Sequence, residues 1–320
     1  MPPLHRRDFL AAGAAGLAAA TGFSGRPLPA RAEKQPAGGK RPFQLKFIVG
    51  SCMYGTTALE EILPEVRRTG ASQIDIWPLR HGNQREQIEK LGHDRLAELL
   101  EQHQVEIGIL THYDLGPFGL QADLPLATRF KVPLMVTGSK GPKNLAGAEL
   151  KQAVRTFAEQ LKPHSDVLGE AGVTIAIENH SGSLVNTPDS IRWFADAVEQ
   201  QQVGVALAPY HLPQDPAELA RLITDLGPKL VHFYAWEHGM GCMTRLPKDQ
   251  ELMQLPGRGP LDFGPLVQAL KTSGYSGWTE VFMHPVPRGI PILPETKDVT
   301  AAINAARAVL EQAAEPAADS

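Results

Sequence analysis

Eight short apolar runs rich in β-branched residues recur along this chain, and helical periodicity fills most of the intervals between them. The runs lie at 44–50, 73–77, 105–111, 133–137, 173–179, 203–208, 230–235 and 278–283. Amphipathic stretches lie at 57–69, 84–103, 148–171, 188–201, 215–226 and 262–273. Strands that alternate with helices imply parallel pairing, because a parallel neighbour needs a crossover long enough to hold a helix. Eight repeats with polar groups gathered at strand ends favour an α/β fold of one domain, a closed (β/α)8 TIM barrel, over an open doubly wound sheet. The open-sheet dinucleotide alternative wants G-x-G-x-x-G after the first strand. Val49-Gly50-Ser51-Cys52-Met53-Tyr54-Gly55 does not supply it.

Local signals mark the element ends. Thr187-Pro188 and Asp215-Pro216 each place a cap and then Pro at the first helical position. Gly70, Gly172, Gly227 and Gly274 stand where helices should stop. The connection 112–132 is rich in Pro, Gly and Leu with little helical period, so an irregular repeat is expected there.

The first 32 residues stand apart. Arg6-Arg7-Asp8-Phe9-Leu10 precedes an Ala/Gly/Leu stretch over 10–20, and Ala30-Arg31-Ala32 offers a small-x-small cleavage site. This is the layout of a twin-arginine export signal, expected over 1–32, which places the mature chain in the periplasm or otherwise outside the cytoplasm. A membrane anchor needs about 20 strongly apolar residues, more than this run provides. A Pro/Gly/Lys linker at 33–42, a barrel domain at 43–312 and a polar tail at 313–320 complete the expected organisation.

Without residues 1–32 the chain loses four basic groups and one acid, leaving 27 basic against 34 acidic residues and a net charge of −7. No basic run remains, so nucleic acid and anionic membrane are not expected partners. Cys52 and Cys242 follow strands far apart in sequence and are read as free thiols.

The chemistry concentrates at four strand ends: VTIAIENH (173–180), VGVALAPYH (203–211), LVHFYAWEH (230–238) and WTEVFMH (278–284). A buried carboxylate without a partner costs several kcal/mol, so Glu178 and Glu280 each need a compensating group. Neither strand carries a neighbouring Lys or Arg. Glutamates on the fifth and eighth strands would face one another across a barrel mouth, and a cation between them satisfies both.

The order IENH, APYH, VHFYAWE, PGRGPLDF and WTEVF resembles the xylose isomerase-like barrel superfamily, the sugar phosphate isomerases and epimerases, over roughly residues 43–310. That resemblance implies one divalent metal held by a glutamate after strand five, an aspartate after strand six, a histidine after strand seven and a glutamate after strand eight. Matched position by position, these are Glu178, Ala208, His232 and Glu280, and the second strand-six residue, a histidine three places later, matches His211. Ala208 is the departure, since a methyl group coordinates nothing. Three outcomes stay open: His211 or water fills the vacancy and a metal set of Glu178, His211, His232 and Glu280 survives; the site works by acid–base chemistry without metal; or the barrel binds without turnover. Carboxylate and imidazole suit Mn, Zn, Co or Mg.

The activity implied by the resemblance is isomerisation or epimerisation of a small-molecule carbohydrate. Glu178 and Glu280 are the expected catalytic pair, moving a proton through an enediolate. Cleavage of a keto-glycoside by the same enolisation is the related alternative. Trp77, His81, His112, His180, Tyr234 and Arg258 are the expected substrate contacts. Aromatic and imidazole groups suit sugar stacking and hydroxyl contacts, and Arg258 in the long loop 237–261 suits an anionic group. That loop is expected to fold over the pocket. Oligomeric state is not legible in the sequence.

Overall fold

The computed structural model describes residues 43–315. The expected export signal and linker, and residues 316–320 of the expected tail, lie outside the described residues. Eight strands are hydrogen-bonded in chain order and close on themselves. They are β1 (Lys46–Gly50), β2 (Gln73–Ile76), β3 (Glu106–Thr111), β4 (Leu134–Gly138), β5 (Thr174–Glu178), β6 (Val203–Leu207), β7 (Leu230–Ala235) and β8 (Trp278–Val281). Every neighbouring pair is parallel. Closure comes from β1 against β8, with Ile48 opposite Glu280.

The helices are α1 (Leu59–Arg68), α2 (Gln84–Leu91), α3 (His93–His103), α4 (Leu124–Phe130), α5 (Gly147–Glu170), α6 (Pro188–Ala197), α7 (Pro216–Leu226), α8 (Gly264–Thr272) and α9 (Thr296–Ala314). Two N-termini form as their sequences dictate. Thr187 and Ser190 make a reciprocal capping box on α6, and Asp215 Oδ1 accepts from the amides of Ala217 and Glu218 on α7. The amphipathic pattern then sets which face is buried. On α7, Leu219, Leu222, Ile223 and Leu226 recur at helical spacing and are all buried, each worth about 1.5–3 kcal/mol against an exposed position.

The structure departs from the sequence reading in four places. The helix expected over 84–103 is two helices, broken where Gly92 takes φ +79°, a conformation that ends the first and redirects the chain. The connection 112–132, expected to be irregular, holds a 3-10 turn at Leu120–Asp123 and then α4. The helix after the eighth strand, α9, was not among those expected, and it runs through Ala313 and Ala314 into the expected tail. Among the described residues no helix is long and apolar enough to cross a membrane. Cys52 is buried, Cys242 half-buried, and both are free thiols.

Candidate functional site

The strands deliver their polar residues to one end of the barrel. Glu178 closes β5 and lines a cavity of about 380 Å³ at that end, together with Trp77, Tyr113, His180, Trp236, Phe282 and His284. Glu280 on β8 and His232 on β7 are fully buried and do not line the cavity. Register explains the difference: Glu280 pairs with Ile48 and Tyr234, well inside the sheet, whereas Glu178 is the last residue of its strand.

Two histidine–glutamate pairs result. His211 Nε2 stands 3.4 Å from Glu178 Oε1, and His232 Nε2 stands 3.2 Å from Glu280 Oε2. Neither contact is aligned as a hydrogen bond. His211 Nε2, both ring nitrogens of His232 and both oxygens of Glu280 are buried without a hydrogen-bond partner. Burial pushes both imidazoles down, each to about 3, and pushes the Glu178 carboxyl up to about 7. Glu280 is raised well above the usual carboxylate range, first by burial and then by the charges of Asp75 and Glu178.

Asp75 is the acid that the sequence reading missed. It lies on β2, fully buried, where its Oδ2 accepts from Trp77 Nε1 and Thr111 Oγ1, each at 2.7 Å. Burial raises it to about 8 despite those bonds, with Glu178 adding repulsion. Three carboxyl groups therefore share the barrel interior without a lysine or arginine among them. The available signal was the pattern of IDIW, an acid inside an apolar strand, the same pattern that marked IENH.

Close packing holds Glu280 in place. A Cβ added at Gly50 would overlap Glu280 Oε1, so only glycine lets that carboxyl lie against β1. Gly50→Ala is predicted to push the Glu280 side chain off its position. Overpacking of this kind costs about 1–3 kcal/mol, read as a lower thermal midpoint, and activity falls with it. A variant of unchanged midpoint and activity would contradict the packing described.

At position 208 the backbone is clamped: Asn179 Oδ1 accepts from the Ala208 amide at 2.7 Å, and Asn179 Nδ2 donates to its carbonyl at 3.0 Å. His211, three residues on, turns its Nε2 toward Glu178, and its Nδ1 is met by Ser181 Oγ at 2.9 Å. The donors fit a divalent ion in kind, being carboxylate and imidazole atoms, of which His211 Nε2 and those of His232 and Glu280 are buried without partners. Their spacing is looser. Among the described residues no three His, Cys, Asp or Glu groups stand at ligating distance from a common point.

The expected substrate contacts divide. Trp77, His81 and His180 line the cavity, with Trp77 stacked on Phe282 at 5.1 Å and His81 on His284 at 4.4 Å. Three others stand outside it. His112 Nδ1 is directed at Asp123 Oδ2, 2.7 Å away, a carboxylate that Arg85 also holds. Tyr234 is buried below the mouth with its ring edge-on to His232 at 4.4 Å. Arg258 is exposed in the long loop. That loop walls a second recess, through His238, Cys242, Arg245 and Glu251, rather than covering the main cavity. Gln254 anchors it, accepting from Trp236 Nε1 at 2.9 Å and from the His284 amide at 3.2 Å.

Comparison with solved structures places this geometry among known barrels. The IolI protein, solved with a binding zinc atom, superposes with a TM-score of 0.63 at 19% identity, covering 84% of this chain and 98% of that one. L-ribulose 3-epimerase gives 0.62 at 16% identity, over 84% and 96% of the two chains. The probable 3-DHS dehydratase AsbF of Bacillus anthracis, involved in petrobactin synthesis, gives 0.62 at 13%, over 81% and 97%. At such identities the likeness is one of fold. No curated protein matches the chain by sequence. The family match is more specific, extending over residues 63–309, and with it the chain belongs to the xylose isomerase-like TIM barrel family.

Proposed function

We propose that the protein is a carbohydrate isomerase or epimerase that moves a proton between carbons, or between faces of one carbon, next to a sugar carbonyl. The observation that carries this reading is the pair of buried carboxyls on β5 and β8, neither paired with a lysine or arginine. A carboxyl held near 7, as Glu178 is, gives and takes protons at neutral pH with little driving force lost either way. Glu178, which reaches the cavity, takes the proton from the carbon beside the carbonyl. Glu280, whose surroundings favour its protonated form, returns one to the resulting enediolate once the carbonyl end of the substrate reaches below the present lining of the cavity to β8. Asp75 shares its charge environment and keeps that form favoured.

The cavity walls suit a sugar. Its volume of about 380 Å³ falls within the range of small-ligand pockets, about 300–1,000 Å³. Trp77, Tyr113 and Trp236 offer faces for C–H stacking. Burial lowers the pKa of His81, His180 and His284, so each ring is neutral and carries one donor and one acceptor, matching a hydroxyl group. Glu178, His211, His232 and Glu280 would hold a divalent ion, which when bound supplies polarisation of the substrate carbonyl. The zinc in the IolI structure and the epimerase neighbour support this reading. We further propose that the chain acts outside the cytoplasm, on the basis of Arg6-Arg7 and the segment after them.

Product analysis tests the activity. Incubated with ketoses and aldoses in the presence of Mn²⁺, Co²⁺ or Zn²⁺, the enzyme is expected to give epimers or aldose–ketose isomers. Loss of a substituent from a 3-keto glycoside instead would assign the related elimination chemistry. Ala208 motivates a second reading, binding without turnover, which predicts ligand-induced thermal stabilisation and no product from any member of the panel.

A further inference from the structure

The mouth of the barrel carries more positive charge than a neutral sugar requires. Arg80 follows β2, Arg288 follows β8, and both side chains line the main cavity and the adjoining recess, as does His284. The recess, of about 510 Å³, adds Arg245 from the long loop. These three arginines differ from most of those on the helices, where only Arg67 and Arg155 lack a carboxylate partner among the described residues. Arg68, Arg85, Arg95, Arg129, Arg192, Arg221 and Arg307 each pair with a carboxylate. Among the described residues Arg80, Arg245 and Arg288 have no such partner.

The acids nearby do not neutralise them. Glu251 lines the recess, but its Oε2 pairs with Lys248 and its Oε1 accepts from the Val286 amide at 2.9 Å. Asp114 also lines the main cavity and pairs with none of the three, and Lys140 adds a further cation to that lining. Glu178 lines the same cavity and forms no ion pair with any of the three. Arg80 and Arg288 therefore stand where the two recesses meet, lining the same cavity as Glu178, with Arg245 on the wall of the second recess.

We infer that the substrate is an anionic polyhydroxylated carbonyl compound, whose carboxylate or phosphate end docks against Arg80, Arg288 and Arg245 while its carbonyl end lies over Glu178. Guanidinium groups match both anions through paired N–H donors. Anchoring one end fixes which carbon stands over Glu178, so the arginines would set position as well as affinity. The inference builds on the isomerase reading for the carbonyl end alone.

The test measures binding by calorimetry, independently of turnover. Matched pairs are D-glucuronate with D-glucose, 2-keto-D-gluconate with D-fructose, and D-fructose 6-phosphate with D-fructose. The wild-type protein is expected to bind at least one anionic member about tenfold or more tighter than its neutral partner, as for hydrogen bonds to a charged group. Which anion wins separates sugar acids from sugar phosphates. In Arg80→Gln/Arg288→Gln that preference disappears, Arg288→Lys keeps part of it, and circular dichroism checks that each variant is folded. Equal affinities within all three pairs, or a preference unchanged in the double variant, would overturn the inference. An arginine-dependent anion preference without turnover of any member would leave the anion site standing and remove the isomerase reading. Turnover of neutral sugars with no anion preference would do the reverse.

Discussion

Glu178→Gln is expected to lower kcat by about 10²–10⁴-fold, the usual contribution of a positioned general base, while the barrel stays folded. Glutamine keeps the shape of the side chain and removes its capacity to take a proton. Stability moves the other way. Burial raises the folded-state pKa from its ordinary 4.5 to about 7, so between those values the folded protein binds more protons than the unfolded chain. Its stability contribution from this group therefore falls as pH rises through that window. The glutamine variant lacks the penalty and melts no lower than wild type at pH 8. Thermal melts at pH 5 and pH 8 beside steady-state rates check both halves. Activity of the wild type rises as pH rises, with its acid limb at or below about 7, and below it when a cation stands near the carboxylate. Retained turnover in the variant, or a limb well above 7, would contradict the assignment of the base.

The second large effect concerns the cation. His232→Ala and His211→Ala are each expected to weaken binding of Mn²⁺ or Zn²⁺ to chelator-stripped protein by at least about 100-fold. Even residues that only support a ligand cost 10–100-fold when changed. His211 is included because it, rather than residue 208, stands beside Glu178 at 3.4 Å. Calorimetric titration and elemental analysis of the purified variants measure the loss. If His232→Ala weakens binding and His211→Ala does not, the place opposite Ala208 is filled by water instead of imidazole. If the wild-type protein takes up no divalent ion, the cation has no part in the reaction and the carboxyl pair acts alone.

Much of the fold was legible because eight strand-like runs are separated at most intervals by helical periodicity, six stretches in all, with caps at some of the joints. Thr187 and Asp215 marked helix starts through a mechanism, a side-chain oxygen for an orphan amide, and both form that bond. The break at Gly92 was less visible, since a single glycine inside a helical pattern is compatible with a continuous helix. In the same way α4 hides among Pro and Gly residues.

At the site, strand patterns located Glu178, His232 and Glu280 but not their surroundings. His112 follows an apolar strand as they do, yet it turns to Asp123, eleven positions on, which the strand pattern does not mention. Tyr234 shares the inward face of β7 with His232, and in a filled barrel an inward side chain is more often packing than lining. Arg258 looked suited to an anion from its glycine-rich loop, whereas it is Arg80 and Arg288 that line the two recesses, from loops with no such glycine pattern. Asp75 was readable in principle. Its acid sits in an apolar strand just as Glu178 does, and only comparison of the two segments would have raised it.

Proton transfer at carbon is the proposed chemistry, and solvent isotope exchange measures it most directly. In D₂O with Mn²⁺ present, ketoses, aldoses and sugar acids are incubated with enzyme and followed by proton NMR. That chemistry predicts loss of the signal from the hydrogen beside the carbonyl in at least one compound, and no enzyme-dependent loss in Glu178→Gln/Glu280→Gln. Exchange that persists in the double variant, or turnover whose product carries no solvent deuterium at carbon, would contradict it.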